Sequence, residues 1–412
     1  MNDSSYRKTV LSNGLRIITE RMPHLRSVSV GYWIVVGSRD ETIENNGISH
    51  VIEHMLFKGT TNRTVSQIAR SLESVGGNLD AFTSREISCY NAHILDEHLP
   101  LAIDVLSDIL LNSVLDESEL TKEKDVILRE INHVIDTPDE LVFENFYADI
   151  FPNHPLGYSI SGTAENVSTF SRNALVDFMQ QMYTSNRIVI AAAGNVDHDR
   201  LVELILEKFS LPQSAIRRQS YPIPELGHLV SIYPNHCTQA HICLGAKGCA
   251  QADKRRAALI LLHLIAGGGM SSRLFQIVRE VHGLAYAVYT FTDHYFDTGL
   301  FGVYLATVQA NVERALDLVK SELAKLSHGE LDNDELEQAK SQLKGNIMLG
   351  LESASSRMSR LANMEIYRNE YKTLDDVIAE IDSVTLAQMN DISSESFADE
   401  SYCITMLTPE NS

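Results

Sequence analysis

The sequence predicts an α+β protein of two similar domains, and three observations lead there. The chain has 412 residues, more than one hydrophobic core usually serves, so two domains of about 200 residues each are expected. Clusters of apolar residues at helical spacing alternate with short β-branched runs along the chain. The order of elements in the first half also returns in the second. Glu119-Leu120-Thr121-Lys122-Glu123 resembles Glu335-Leu336-Glu337-Gln338-Ala339 in pattern and in place within its half. This weak internal duplication sets Glu123 against Ala339 and Glu130 against Asn346.

In the first half, strands are expected at 15–19 and 28–36, before a helix carrying His50 and His54. A helix at 65–74 ends at Gly76-Gly77, followed by strands at 78–83 and 87–94. Amphipathic helices follow at 97–111, 117–135, 138–150 and 171–182, then an apolar strand at 187–193 and a helix at 197–209. Residues 211–227 hold Pro212, Pro222 and Pro224 among mixed polar residues and read as a linker. The expected division is a first domain over 1–212, a linker over 213–227 and a second domain over 228–412. In that second domain, strands at 228–233 and 241–245 precede a helix at 254–266. Gly267-Gly268-Gly269 leads into a helix at 271–281, then strands at 285–292 and 299–307. Long helices at 312–325, 334–349 and 353–368 complete the reading.

Composition narrows the function. A hydrophobic fraction of 44% and a charged fraction of 22% describe a soluble globular protein. The formal net charge of −21 opposes nucleic-acid binding, which needs basic patches to displace counterions, and favours cationic partners such as basic peptides. No apolar run approaches the roughly 20 residues that span a bilayer. The longest, 257–266, carries His263 and reads as a buried helix. The polar residues 1–10 resemble neither a secretory signal nor an organelle presequence, so a cytoplasmic protein without membrane partners is expected. Cys89, Cys237, Cys243, Cys249 and Cys403 form no C-x-x-C pair, and buried free thiols are expected.

His50-Val51-Ile52-Glu53-His54 carries the chemistry. Positions four apart lie one above the other on a helix, so both imidazoles can point at one metal ion. Glu53 falls beside them, where a carboxylate can take a proton from metal-bound water. The order is the inverse of the H-E-x-x-H zinc-protease helix. A catalytic zinc takes three protein ligands and leaves a fourth position for water. The helix at 117–135 offers two acids for the third place, Glu123 and Glu130, seven residues apart and on one face. The triple glycine at Gly267 lacks the G-K-[ST] ending of a phosphate loop.

With these segments in view, the chain resembles the pitrilysin (insulinase) family of zinc metallopeptidases. The likeness is strongest to the short two-domain branch that includes bacterial processing proteases and the β subunit of mitochondrial processing peptidase. It rests on Gly47-Ile48-Ser49-His50-Val51-Ile52-Glu53-His54-Met55-Leu56-Phe57-Lys58-Gly59-Thr60, on Gly76-Gly77-Asn78-Leu79-Asp80-Ala81-Phe82-Thr83, and on the segment from Glu123 to Ile131. Met270-Ser271-Ser272-Arg273-Leu274-Phe275 and the stretch from Arg279 to Tyr286 extend it into the second half.

The resemblance implies two homologous domains, each a mostly antiparallel sheet packed against several helices, with no metal in the second. It makes His50, His54 and Glu130 the ligands of one zinc ion per chain. Glu53 becomes the general base that activates zinc-bound water, and Glu123 an acidic residue supporting the catalytic site. The segment Asp80-Ala81-Phe82-Thr83, with Asp80, Ala81 and Phe82 as the substrate-binding residues, would hold an extended peptide as an added strand. The family often carries asparagine where this chain has Asp80. Arg279 and Tyr286 would contact substrate and steady the scissile carbonyl; Val281-His282 stands where lysine–arginine is common. The function implied is an endopeptidase acting on unfolded peptides or presequence-like segments inside a chamber formed by a homodimer. The competing class is a non-catalytic peptide-binding subunit, and the intact His50, Glu53, His54, Glu123 and Glu130 set argues against it.

Overall fold

Residues 5–211, 222–397 and 402–410 are described in the computed structural model, which builds each half around one sheet. The first half opens with β1 (Tyr6–Val10), β2 (Arg16–Arg21) and β3 (Ser27–Ile34), then α1 (Ile48–Leu56) and α2 (Val65–Glu73). Strands β4 (Asn78–Thr83) and β5 (Ser88–Leu95) follow, with α3 (Leu99–Asn112), α4 (Glu117–Asp136) and α5 (Pro138–Ile150). It closes with α6 (Ala164–Thr169), α7 (Arg172–Met182), β6 (Ile188–Gly194) and α8 (His198–Lys208). The second half runs through β7 (Val230–Asn235), β8 (Ala240–Lys247), α9 (Arg256–Gly267), β9 (Ala285–His294) and β10 (Gly299–Thr307). It ends with α10 (Val312–Ser327), α11 (Asn333–Gly350), α12 (Ala354–Arg368), α13 (Leu374–Asp382), α14 (Leu386–Phe397) and β11 (Cys403–Pro409).

The first sheet has six strands in the order β1-β2-β6-β3-β5-β4, and the second has five in the order β7-β11-β8-β10-β9. In the first, only β2 and β6 run parallel. In the second, only β7 and β11 do. Remove β1 and the two orders superimpose strand for strand, so the duplication hinted at by residues 119–123 and 335–339 extends to the topology. Both sheets are mixed but mostly antiparallel, and the fold is the expected α+β.

The chain does not divide at one point along its length. One compact unit runs to Asn132, resumes at Tyr158 and takes in Gly350–Tyr371; the other holds His133–Gly157, a stretch ending at Leu349, and residues from Lys372 onward. Each half therefore contributes one helix to the other unit's sheet. Helix α5 buries Val142, Phe146 and Ile150 with Cys243, Tyr304 and Leu407 of the second sheet. Helix α12 joins the first: Ser355 Oγ lies 2.8 Å from Ser29 Oγ, and Lys8 Nζ 2.7 Å from Glu365 Oε2. Of the expected linker, 213–221 lies outside the described residues, and 222–227 forms neither helix nor strand.

Several expected elements fall in place, including those at 78–83, 138–150 and 299–307. The helix expected at 271–281 begins at Arg273 and passes into a π-helical segment, Phe275–Val281. Strands β1 and β11 and helices α6, α13 and α14 lie outside the expected elements. In β1 the alternation is blurred by Arg7 and Lys8, and the strand exists through pairing with β2. The five cysteines carry free thiols, with Cys237 half-buried and the others buried.

Candidate metal centre

Helix α1 is fixed by its apolar face. Ile48, Val51, Ile52, Met55 and Leu56 are fully buried, and each such side chain stabilises by about 1.5–3 kcal/mol. The helical period then turns His50, Glu53 and His54 toward the other side. Gly47 precedes the helix at φ 99°, where a Cβ would approach Gly162 Cα to 2.7 Å, so only glycine fits. The fully buried Glu41 carboxylate caps this end. It accepts from the N–H groups of Gly47 at 2.7 Å and Ser49 at 2.8 Å and from Asn46 Nδ2 at 2.9 Å. A negative charge suits a helix N-terminus. Burial nonetheless pushes the Glu41 carboxyl up, against those hydrogen bonds.

Helix α4 brings its acids to the same place. Leu120, Glu123 and Ile127 form its buried stripe, and Glu130 continues that face. One nitrogen of His50, one of His54 and a carboxylate oxygen of Glu130 all lie within 4.8 Å of one another. His50 Nε2 stands 3.9 Å from Glu130 Oε2, and His54 Nε2 stands 3.7 Å from the same oxygen. Donors around a tetrahedral zinc stand about 3.3 Å apart, so the two histidine–glutamate separations are about half an ångström wider than a bound ion would set them.

The protonation states also suit a cation. His50 has its pKa lowered to about 4, first by burial and then by His54, so its ring is neutral at pH 7. Its Nδ1 is buried with no hydrogen-bond partner among the described residues. His54 Nδ1 lies 3.1 Å from Glu123 Oε2, and Lys58 Nζ holds the other carboxylate oxygen at 2.7 Å. Burial opposes charge on Glu123, but the Lys58 and His54 bonds outweigh it and keep its pKa below the ordinary value. An ionised Glu123 accepts the Nδ1 proton and leaves the His54 Nε2 lone pair free, the usual second-shell arrangement of a metal histidine. The donor set thus fits zinc.

Glu53 rests against the sheet. Thr83 Oγ1 donates to its Oε2 at 2.5 Å. Burial raises the Glu53 pKa, while Thr83 and His54 work against that shift. Thr83 ends β4, which is an edge strand of the first sheet among the described residues. The Ser84 N–H donates to the Ile87 carbonyl at 2.7 Å and closes the β4–β5 turn. Antiparallel alternation from that pair points the backbones of Leu79, Ala81 and Thr83 toward the free edge. Asp80 and Phe82 are exposed, Ala81 is half-buried, and the Ala81 N–H is satisfied by Asp80 Oδ1 at 2.9 Å.

Arg279 and Tyr286 belong to the second unit. Arg279 lies in the π-helical segment, with its guanidinium 4.8 Å from the Phe275 ring centroid and 5.5 Å from that of Tyr286. Tyr286 is 75% exposed on β9, an edge strand of the second sheet among the described residues. The pair is therefore stacked and open to solvent. Glu41 and Lys58 have no role legible in the sequence, and Thr83 is legible there only as part of the peptide-receiving strand. The one usable signal for Lys58 is its place four residues beyond His54. Glu41 and Thr83 act through tertiary contacts that spacing does not reveal.

Comparison with known proteins agrees with this geometry. Residues 16–164 match the model of the insulinase family, peptidase family M16, and residues 169–343 match the peptidase M16 inactive domain. The chain belongs to peptidase family M16. An uncharacterized zinc protease of Bacillus subtilis is 40% identical over 397 residues, covering 96% of this chain and 97% of the relative. One from Mycobacterium leprae is 40% identical over 388 residues, covering 93% and 87%. Among solved M16-type folds, a protease from Helicobacter pylori superimposes with a TM-score of 0.89 at 22% identity, over 98% of this chain and 99% of that one. A Pseudomonas fluorescens structure described as a peptidase M16 inactive domain gives 0.90 at 20% identity, over 98% of each chain. No helix among the described residues is long and apolar enough to cross a membrane.

Proposed function

We propose that this M16 protein is a zinc-dependent endopeptidase that takes peptides in extended form. His50, His54 and Glu130 would hold one zinc ion per chain, and Glu53 would serve as general base. The supporting observation is the convergence of those three donors within 4.8 Å, beside a Glu53 carboxylate that meets the edge strand β4. The zinc protease relatives make zinc the expected metal and peptides the expected substrates.

Zinc, when bound, supplies Lewis acidity that polarises the scissile carbonyl and makes water acidic near neutral pH. The free edge of β4 pairs with the peptide backbone, so affinity comes chiefly from main-chain hydrogen bonds. Glu53 takes a proton from the attacking water and returns it to the leaving amine. Glu123 holds the His54 ring in one orientation. Arg279 and Tyr286 are proposed as substrate contacts because their polar groups are exposed. The net charge of −21 favours basic, unfolded or presequence-like segments. A chamber formed by two copies, in the cytoplasm, completes the reading.

The test combines metal analysis with cleavage of a quenched fluorescent peptide library. Chelator-sensitive cleavage is expected, with one zinc per chain. Glu53→Gln should lower turnover by about 10²–10⁴-fold with zinc retained. Near-normal turnover in that variant would remove Glu53 from its assigned role. A protein that binds zinc and peptides but cleaves none would be a binding subunit instead.

A further inference from the structure

We propose that Thr83 is a positioning residue for the general base: its hydroxyl clamps one oxygen of the Glu53 carboxylate and leaves the other to face water. The inference rests on Glu53 being the base, and it adds a residue from the strand proposed to receive the peptide.

The geometry is specific. Thr83 Oγ1 donates to Glu53 Oε2 at 2.5 Å, a short contact typical of hydrogen bonds to an ionised acceptor. The direction of donation follows from the neighbours. Ser88 Oγ lies 3.5 Å from Thr83 Oγ1 but gives its own proton to the Val36 carbonyl at 3.0 Å. The Thr83 hydroxyl proton therefore goes to Glu53. Threonine is stiff at χ1 because two heavy atoms sit on its Cβ, so the hydroxyl is held in place before substrate arrives.

The place of Thr83 in the strand gives the contact its consequence. Its side chain shares a half-buried face with Leu79 and Ala81, while Asn78, Asp80 and Phe82 are exposed on the other. Its backbone meanwhile points to the open edge, by the alternation counted from the Ser84–Ile87 pair. One residue thus touches the base with its side chain and offers its main chain to an incoming strand. A freely rotating Glu53 would spend part of its time with neither oxygen aimed at the attacking water. Holding a base in its productive rotamer is an orientation effect, so it acts on turnover and leaves binding alone.

The experiment uses the full-length protein and a quenched fluorescent peptide that the wild type cleaves. Thr83→Val keeps the shape and removes the donor; Thr83→Ala serves as a second variant should the valine protein fold poorly. Thr83→Ser restores the hydroxyl. We expect kcat to fall about 10- to 100-fold in the valine and alanine variants, the range of one hydrogen bond to a charged group. KM should stay within about twofold, zinc content and Tm should be unchanged, and serine should recover most of kcat. Unchanged kcat in both hydroxyl-free variants would overturn the assignment. So would a loss confined to KM, or a serine variant as slow as valine. Glu53→Gln run alongside separates the two levels. If it stays active, the base is misassigned; if it is dead while Thr83→Val is fully active, only the positioning role falls.

Discussion

The two units share a topology and differ in what their equivalent helices carry. In the first, α1 presents His50, Glu53 and His54, and α4 presents Glu123 and Glu130. In the second, α9 is an apolar helix with one histidine, His263, whose Nδ1 lies 2.7 Å from Thr290 Oγ1 on the edge strand β9. The corresponding helix and strand of the first unit, α1 and β4, meet through the Glu53–Thr83 contact. The stripe Leu120, Glu123, Ile127 of α4 becomes Leu336, Ala339, Leu343 in α11, with Asn346 opposite Glu130. The lesson is that the sheet and helices can stand without the site. The charged residues are tolerated in the first unit because each has a partner there, as Glu123 has Lys58 and His54.

The strongest way to break this contrast is to remove a first-unit ligand. His50→Ala should cut zinc affinity by more than about 100-fold and abolish peptide cleavage, read by metal analysis and the fluorescent assay. The fold should survive, as the second unit's does without such residues. Unaltered zinc content would undo the proposed metal centre.

The reverse change tests the partner argument. Ala339→Glu places a carboxylate in the second unit's buried stripe without the lysine and histidine that surround Glu123. It should destabilise by on the order of 3 kcal/mol, measured as a drop in denaturant midpoint. A neutral result would mean that α11 accepts the acid, and that the second unit lost its site without structural pressure.

Making the first unit resemble the second should be milder. Glu123→Ala frees the His54 ring and is expected to weaken zinc binding about 10- to 100-fold, measured by competition with a chromophoric chelator. Loss of peptide affinity with zinc affinity intact would instead place Glu123 in substrate binding.

The smallest effect concerns how each helix ends. Helix α9 leaves through Gly267-Gly268-Gly269, whereas the turn after α1 is held by buried Asp108, which accepts from Thr60, Asn62, Arg63 and Asn112 at 2.6–2.9 Å. Burial raises the Asp108 pKa, but those four hydrogen bonds outweigh it and hold it below its ordinary 3.8. A carboxyl whose folded pKa is depressed stabilises fully above its unfolded value and loses that contribution as pH falls through the folded one. Asp108→Asn should therefore cost about 1–2 kcal/mol at pH 7 and progressively less below about pH 4. A constant difference between the two proteins across that window would contradict the depressed pKa.

Local pattern carried much of the fold. Helices at 117–135 and 138–150 were legible because apolar residues recur at helical spacing, and β10 because its run is buried on both faces. The π-helical segment at Phe275–Val281 was not, since backbone register within a helix leaves no period of its own in so short a stretch. The open division at 213–227 gave no warning that α5 and α12 would each serve the opposite unit's sheet. Nothing in the Val142, Phe146, Ile150 stripe says which apolar surface will cover it.

The sequence by itself determined that His50, Glu53 and His54 share one side of a helix turn, and that Glu123 and Glu130 share another. Those relations depend only on the helical period, which acts within a few residues. Only the tertiary structure decided that Glu130 meets the two Nε2 atoms while Glu123 meets Nδ1 of His54, and that Thr83 reaches Glu53. These contacts join residues far apart in the chain, and they form because the buried faces of α1, α4 and β4 leave the polar side chains one place to converge.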